Sequence, residues 1–230
     1  RKTYKLYLGG DFVRSESGRY DPATDAKGKH LANVCRGSRK DVRDAVAKAR
    51  AAQPGWEKAT AYLRGQILYR MAEMLEGRAA HFADLCRKIS GLTPAAAKKE
   101  VRAAIDRIVH YAGWSDKYGA LLSSVNPVAS SYFDFSLAEP TGLVGIVAPE
   151  KPALLGLVSH VLPAIASGNT AIVLLSESNP LLGLEWAEVL ATSDLPGGVV
   201  NLISGRRDEL VPHLARHMDV NAIADAGGDR

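Results

Sequence analysis

The chain has 230 residues, 47% apolar and 23% charged, the balance of a globular fold with ample core. Its 29 basic and 25 acidic residues leave a net charge of +4, with the signs interspersed, so no nucleic-acid footprint is expected despite a pI near 9.0. No apolar run is long enough for a membrane span, and the two cysteines, Cys35 and Cys86, make no disulfide framework and suit a reducing, cytoplasmic compartment.

The first residue is Arg rather than Met, which suits a cut from a longer polypeptide. Residues 4–8 alternate as a half-buried strand does, and Gly9-Gly10 turns the chain into Asp11-Phe12-Val13. Residues 15–18 and 21–25 carry turn chemistry, and residues 31–35 read as a further short strand. Ser38 is a helix N-cap with Asp41 three residues on, and Val42, Ala45, Val46 and Ala49 follow on one face. Pro54-Gly55 is the expected end of that helix. Residues 60–89 form a long helical stretch with a bend at Gly77, and Thr93-Pro94 opens another helix that ends near Tyr118-Gly119. Cys86 falls on an apolar stripe and Cys35 at a strand end, so both read as structural.

Residues 121–138 change character. The segment 130–137 is β-prone, with Tyr132, Phe133 and Phe135. An edge strand or protruding arm would expose unpaired backbone groups unless something covers them. Residues 124–137, bounded by Ser124 and Leu137, are therefore expected to contact a partner.

The rest of the chain is organised around residues 142–177. Two continuously apolar runs, 143–148 and 170–175, suit strands covered on both faces. Residues 154–167 are long enough for the helical crossover that parallel strands require, and Gly168-Asn169 makes the turn. The alternation continues with a helix from Asn179-Pro180 to about residue 193, a strand at 199–203, a helix at 208–217 and a strand at 220–224. The expected fold class is α/β, a doubly wound parallel sheet. It divides into a β-rich entry with helices (1–120), an arm (121–139) and the βαβ core (140–230), together one structural domain. Ligands in such sheets sit beyond the carboxyl ends of the strands. Here those ends are Val147, Ala148, Pro149, Glu150 and Lys151, and Leu174 to Glu177. His213 and His217 lie four apart on a helix, a spacing that suits a metal, but no second ligand pair accompanies them and no metal site is assigned.

The motifs together resemble the aldehyde dehydrogenase superfamily. The likeness runs through nearly the whole chain. It includes Asp21-Pro22-Ala23-Thr24, the helix ending Ala49-Arg50-Ala51-Ala52 with Trp56 beyond it, and Tyr111-Ala112-Gly113-Trp114. It continues through Glu139-Pro140-Thr141-Gly142, Pro163-Ala164 with Gly168-Asn169-Thr170, and Leu195-Pro196-Gly197-Gly198-Val199-Val200-Asn201 with Gly205. The resemblance implies a Rossmann-like cofactor domain and a cofactor site at Val147, Ala148, Pro149, Glu150, Lys151, Leu174, Glu177, Gly205, Gly227 and Gly228.

The departures fall on that site. Lys151 stands where the family has an oxyanion-hole asparagine, a donor typically worth about 2.7–4 kcal/mol. Leu174 stands where the family has the lysine of its ribose-binding motif, while Glu177 survives. Such a charge-assisted bond is worth roughly 1.5–3 kcal/mol, or about 10- to 150-fold in affinity. Asp225-Ala226-Gly227-Gly228 replaces the family's pyrophosphate-facing turn. The family's nucleophilic cysteine and general-base glutamate both lie downstream of that turn, so no catalytic residue is assigned here. The pattern resembles the degenerate second domain of the bidomain aldehyde dehydrogenase family 16. The implied role is non-catalytic, structural or oligomeric, with a catalytic aldehyde dehydrogenase domain or a second copy as partner. No cofactor is then expected, or NAD or NADP if the degenerate pocket still binds. A residual nucleotide-binding module and a truncated piece of an active enzyme are the alternatives.

Overall fold

The computed structural model describes residues 2–228. The chain opens with β1 (Thr3–Tyr4), β2 (Leu6–Leu8), β3 (Asp11–Val13), β4 (Tyr20–Thr24) and β5 (His30–Cys35). Five helices follow: α1 (Arg39–Lys58), α2 (Ala61–Gly77), α3 (Ala79–Ser90), α4 (Pro94–Trp114) and α5 (Tyr118–Leu122). A small hairpin, β6 (Ser124–Asn126) and β7 (Asp134–Ser136), precedes the core. The core is β8 (Leu143–Val147), α6 (Ala153–Ala166), β9 (Thr170–Leu174), α7 (Pro180–Ala191), β10 (Val200–Ile203), α8 (Arg207–Ala215) and β11 (Ala222–Asp225).

The main sheet has the order β11-β8-β9-β10-β2-β3. β8 to β11 run parallel, while β2 joins β10 and β3 joins β2 antiparallel. Side chains along β8 and β9 alternate between two cores, as the period of a strand requires. Ile146, Ala171 and Val173 pack with α6 and α7, and with α2 and α4 outside them. Leu143, Val147, Ile172 and Leu174 pack with Val42, Val46 and Ala49 of α1 and with Leu210 and Leu214 of α8. Helices therefore cover both faces, and the sheet is doubly wound as the apolar runs imply.

Local signals decide several boundaries. Ser38 accepts from the N–H of Asp41, and the Asp41 carboxylate accepts from the N–H of Ser38, closing the capping box. The long helical stretch breaks into α2 and α3 beside Gly77. Thr93 caps α4 with Pro94 in its first turn.

Five expectations need correction. Residues 21–24 belong to strand β4, not a turn, with Pro22 opposite Asn33. β4 is the edge of a three-stranded sheet ordered β1-β5-β4, where proline is tolerated. The strand at residues 4–8 divides into β1 and β2, and Leu6, Tyr7 and Leu8 are all buried. Tyr7 faces one core and Leu6 and Leu8 the other, so the alternation separates two buried faces. Pro54 sits inside α1, which runs on to Lys58. The buried Trp56 indole N–H donates to the Ile165 carbonyl at 2.9 Å and holds that last turn. α4 stops at Trp114, and residues 118–122 form a separate short helix. In the arm, pairing joins residues 124–126 to 134–136, so residues 130–133 are the connection rather than a strand.

Candidate functional site at the strand ends

β8 and β11 are neighbours in the sheet, yet the chain leaves β8 through α6 on one face and reaches β11 from α8 on the other. The strand order reverses there, and crevices at such points receive ligands in open α/β sheets. A cavity of about 350 Å³ lies there, lined by Val147, Arg207, Asp208, Val211, Asp225 and Gly227. A larger groove of about 740 Å³ runs between α3 and α4, over Ala79, Ala83, Pro94, Val101 and Ile105. It contains none of the sequence-predicted site residues.

The strand-end loop is fixed from below. Gly156 in the first turn of α6 lies so close to Pro149 that an added Cβ would sit 2.4 Å from the proline ring. The Ala148 N–H donates to the Leu174 carbonyl at 2.9 Å, extending the β8–β9 ladder by one bond. Leu174 is buried in the core beneath α8 and reaches no polar group.

Glu150 is the hub of the site. Its carboxylate accepts the Ser176 hydroxyl at 2.6 Å, the Glu177 N–H at 3.1 Å, and the Ser178 N–H at 3.0 Å, and also the Ser178 hydroxyl. It pairs with the Arg207 guanidinium at 2.8 Å. Burial pushes the Glu150 carboxyl up, but the Ser176 and Ser178 hydroxyls and the Ser178 and Glu177 N–H groups outweigh it, and the net direction is down. The group is therefore a carboxylate near neutral pH.

Arg207, the first residue of α8, ties the other pieces together. Its Nη1 donates to the Gly227 carbonyl at 2.9 Å, and its Nη2 donates to the Ala148 carbonyl. Its backbone N–H donates to the Glu177 carboxylate. Gly227 turns back so that its N–H donates to the Asp225 carboxylate at 3.0 Å. Lys151 is exposed, with no hydrogen-bond or ion-pair partner among the described residues.

All ten sequence-predicted positions thus lie at the carboxyl edge of the sheet: residues 147–151, Leu174, Glu177, Gly205, Gly227 and Gly228. Gly205 follows β10 with a φ of +156°, and an added Cβ there would strike Leu210 and the backbone of Gly37, so it is also closely packed. Sequence reasoning missed Arg207 and Ser178, and placed Ser176 at the strand end without assigning it a role. The available signals were the Arg206-Arg207 pair just after a strand and the serines flanking Glu177. Cys35 and Cys86 are both buried and free, and the described residues contain no cluster able to hold a metal ion. Among the described residues, no helix is long and apolar enough to cross a membrane.

Comparison with known proteins agrees with this geometry. Residues 12–230 match the model of the aldehyde dehydrogenase family. An aldehyde dehydrogenase from Aspergillus niger is 31% identical over 224 residues, covering 96% of this chain and 44% of that protein. The mitochondrial aldehyde dehydrogenase family 2 member B4 of Arabidopsis thaliana is 33% identical, with 97% and 42% covered. The NAD+ complex of an aldehyde dehydrogenase from Bacillus cereus superposes with a TM-score of 0.93 at 26% identity, over 97% of this chain and 46% of that one. The chain thus spans about half the length of the relatives it matches. With the family model covering nearly all of it and the same sheet underneath, the chain belongs to the aldehyde dehydrogenase family.

Proposed function

We propose that this chain is a non-catalytic aldehyde dehydrogenase-like module, with a structural or oligomeric role inside a larger NAD(P)-dependent aldehyde dehydrogenase of the two-domain, family 16 kind. The observation that carries this reading is the internal satisfaction of the strand-end acids. Glu177, the surviving ribose-binding position, is engaged by the Arg207 N–H, and Glu150 by two serines, two backbone N–H groups and a guanidinium. A dinucleotide fits these residues poorly. Its ribose hydroxyls would compete with a backbone donor for Glu177, and Leu174 offers them no charge. The oxyanion-loop position carries the solvent-facing Lys151.

The structural role draws support from the arm. The β6–β7 hairpin exposes Val125, Tyr132, Phe133, Phe135 and Leu137 together, with Tyr132 at 79% and Phe133 at 72% exposure. Phe133 and Phe135 lie with ring centroids 5.4 Å apart, and Phe135 is opposite Val125; exposed apolar side chains grouped in this way support an interaction site. The partner is a second copy or a catalytic aldehyde dehydrogenase domain.

Calorimetric titration with NAD and NADP to millimolar concentration, paired with an assay for NAD reduction by simple aldehydes, tests the reading. The expected result is no saturable heat, no thermal stabilisation and no turnover. Saturable binding, or turnover that survives removal of contaminating enzymes, overturns it.

A further inference from the structure

Resting on the non-catalytic reading above, we infer that Arg207 is a built-in plug: its side chain occupies the crevice between β8 and β11 and holds it shut against a dinucleotide. β8 and β11 pair in register up to Val147 opposite Asp225, and the Ala226 N–H adds one more bond to the Val147 carbonyl before the backbone pairing ends. One guanidinium then bridges the two chains. It donates to Ala148 on the β8 side and to Gly227 on the β11 side, and it pairs with Glu150 between them. The N–H of the same residue engages Glu177. A single residue therefore makes direct contact with both strand-end acids and both strand-end carbonyls.

Three further observations agree. An added Cβ on Gly227 would lie 3.0 Å from Arg207 Nη1, so the glycine leaves the room that the guanidinium fills. Arg207 Nε is buried with no hydrogen-bond partner. An unpaired buried N–H is unfavourable, so the other contacts hold the side chain in place despite it. The remaining cavity, about 350 Å³, has Arg207 as one wall and sits at the small end of the ~300–1,000 Å³ usual for ligand pockets. Removing the side chain extends that cavity across the strand ends.

Removing Arg207 alone would leave Glu150 unpaired and repelling a diphosphate, so the test uses the double variant Glu150→Gln with Arg207→Ala. NAD is titrated calorimetrically into the parent chain and the double variant, with circular dichroism and melting curves confirming the fold. The expected result is a silent parent and saturable binding in the variant. The gain should be at least about tenfold in affinity, the equivalent of one charge-assisted hydrogen bond freed for the ligand. A silent parent with a folded, equally silent double variant overturns the plug and leaves the non-catalytic reading standing. Saturable binding by the parent overturns both. If that double variant does not fold, Glu150→Gln with Arg207→Gln carries the test, since it keeps part of the alkyl stem, is too short to span both carbonyls and leaves no uncompensated carboxylate at position 150. A folded chain of this second variant with no gain over the parent also overturns the plug.

Discussion

Replacing Glu150 with Gln removes one charge and, through the amide nitrogen, one acceptor. The two carboxylate oxygens divide their donors. Oε1 takes the Glu177 N–H and faces Arg207, while Oε2 takes Ser176 and both Ser178 donors. Whichever way the amide turns, one of these sets meets an N–H₂ group. In the milder orientation the solvent-exposed Glu177 N–H loses its acceptor, a net loss of about 0.5–1.5 kcal/mol. The Arg207 pair, with side chains 17% and 33% exposed, is lost as well; solvent screening limits that to about 1 kcal/mol. The sum is about 1.5–2.5 kcal/mol, which lowers Tm by roughly 3–10 °C for a chain of this size. The dependence on pH has a definite sign. The folded-state pKa of Glu150 lies below its ordinary value of 4.5. Its stabilising contribution is therefore complete above that value and is lost as pH falls through the folded pKa. Urea melts of parent and variant should differ most near neutral pH and converge in acid, because the glutamine does not titrate. A difference below about 0.5 kcal/mol near neutral pH, the scatter of ordinary surface substitutions, would refute the hub role of Glu150. So would a difference of the same size in acid.

The α6–loop contact predicts that Gly156→Ala destabilises the chain by about 1–3 kcal/mol, because the new methyl meets Pro149 at 2.4 Å. A urea midpoint at or above the parent's would show that Pro149 yields freely. Burial, and then the charge of Glu100, push the Cys86 thiol up to about 12, so in a Cys35→Ser background it should react with a disulfide reagent only on unfolding. Rapid stoichiometric labelling of the folded chain would contradict this. Deleting residues 124–137 should lower the molar mass measured by light scattering, and an unchanged mass counts against the arm as the contact.

The parallel core was legible because strands buried on both faces leave no polar residue in the run, as Ala171, Ile172, Val173 and Leu174 show. Caps were legible for a different reason. Ser38, Asp41, Thr93 and Pro94 act within a single turn, so their effect does not depend on the rest of the fold. What escaped was nonlocal. Pro22 carries a turn signal, and only its place on a sheet edge makes it a strand residue. Glu150 meets Ser176 and Ser178 across 26 and 28 residues because β8 and β9 lie side by side. Arg207 reads as a solvated charge at a helix start until β11 is set beside β8, where the same side chain faces two carbonyls and a carboxylate.

The altered motifs lie at the carboxyl ends of the strands, beside the kept Glu177 and Gly205, whereas a set of kept amides lies at the amino ends. At the amino ends of the strands, side-chain amides hold the loops. Asn169 accepts the Gly142 N–H at 2.8 Å, Asn221 the Leu143 N–H at 2.9 Å, and Asn201 the Gly9 N–H at 2.8 Å. Gln53 accepts the Thr170 N–H at 2.9 Å and donates to the Gly168 carbonyl at 3.1 Å, beside the Trp56 bond to Ile165. Asn169, Asn201, Gln53 and Trp56 are buried while Asn221 is exposed, and losing any of the buried four strands a backbone donor or acceptor, so they contribute most to the stability of the fold. Asn169, Asn201, Gly142 and Trp56 are among the residues through which the sequence resembles its family. Glu150, Lys151 and Leu174, where it departs, sit at the opposite ends of the strands. Glu150 and Glu177 are answered by serine hydroxyls, backbone N–H groups and Arg207 while Lys151 faces solvent, so the carboxyl edge is rewired without touching the amides that hold the sheet together.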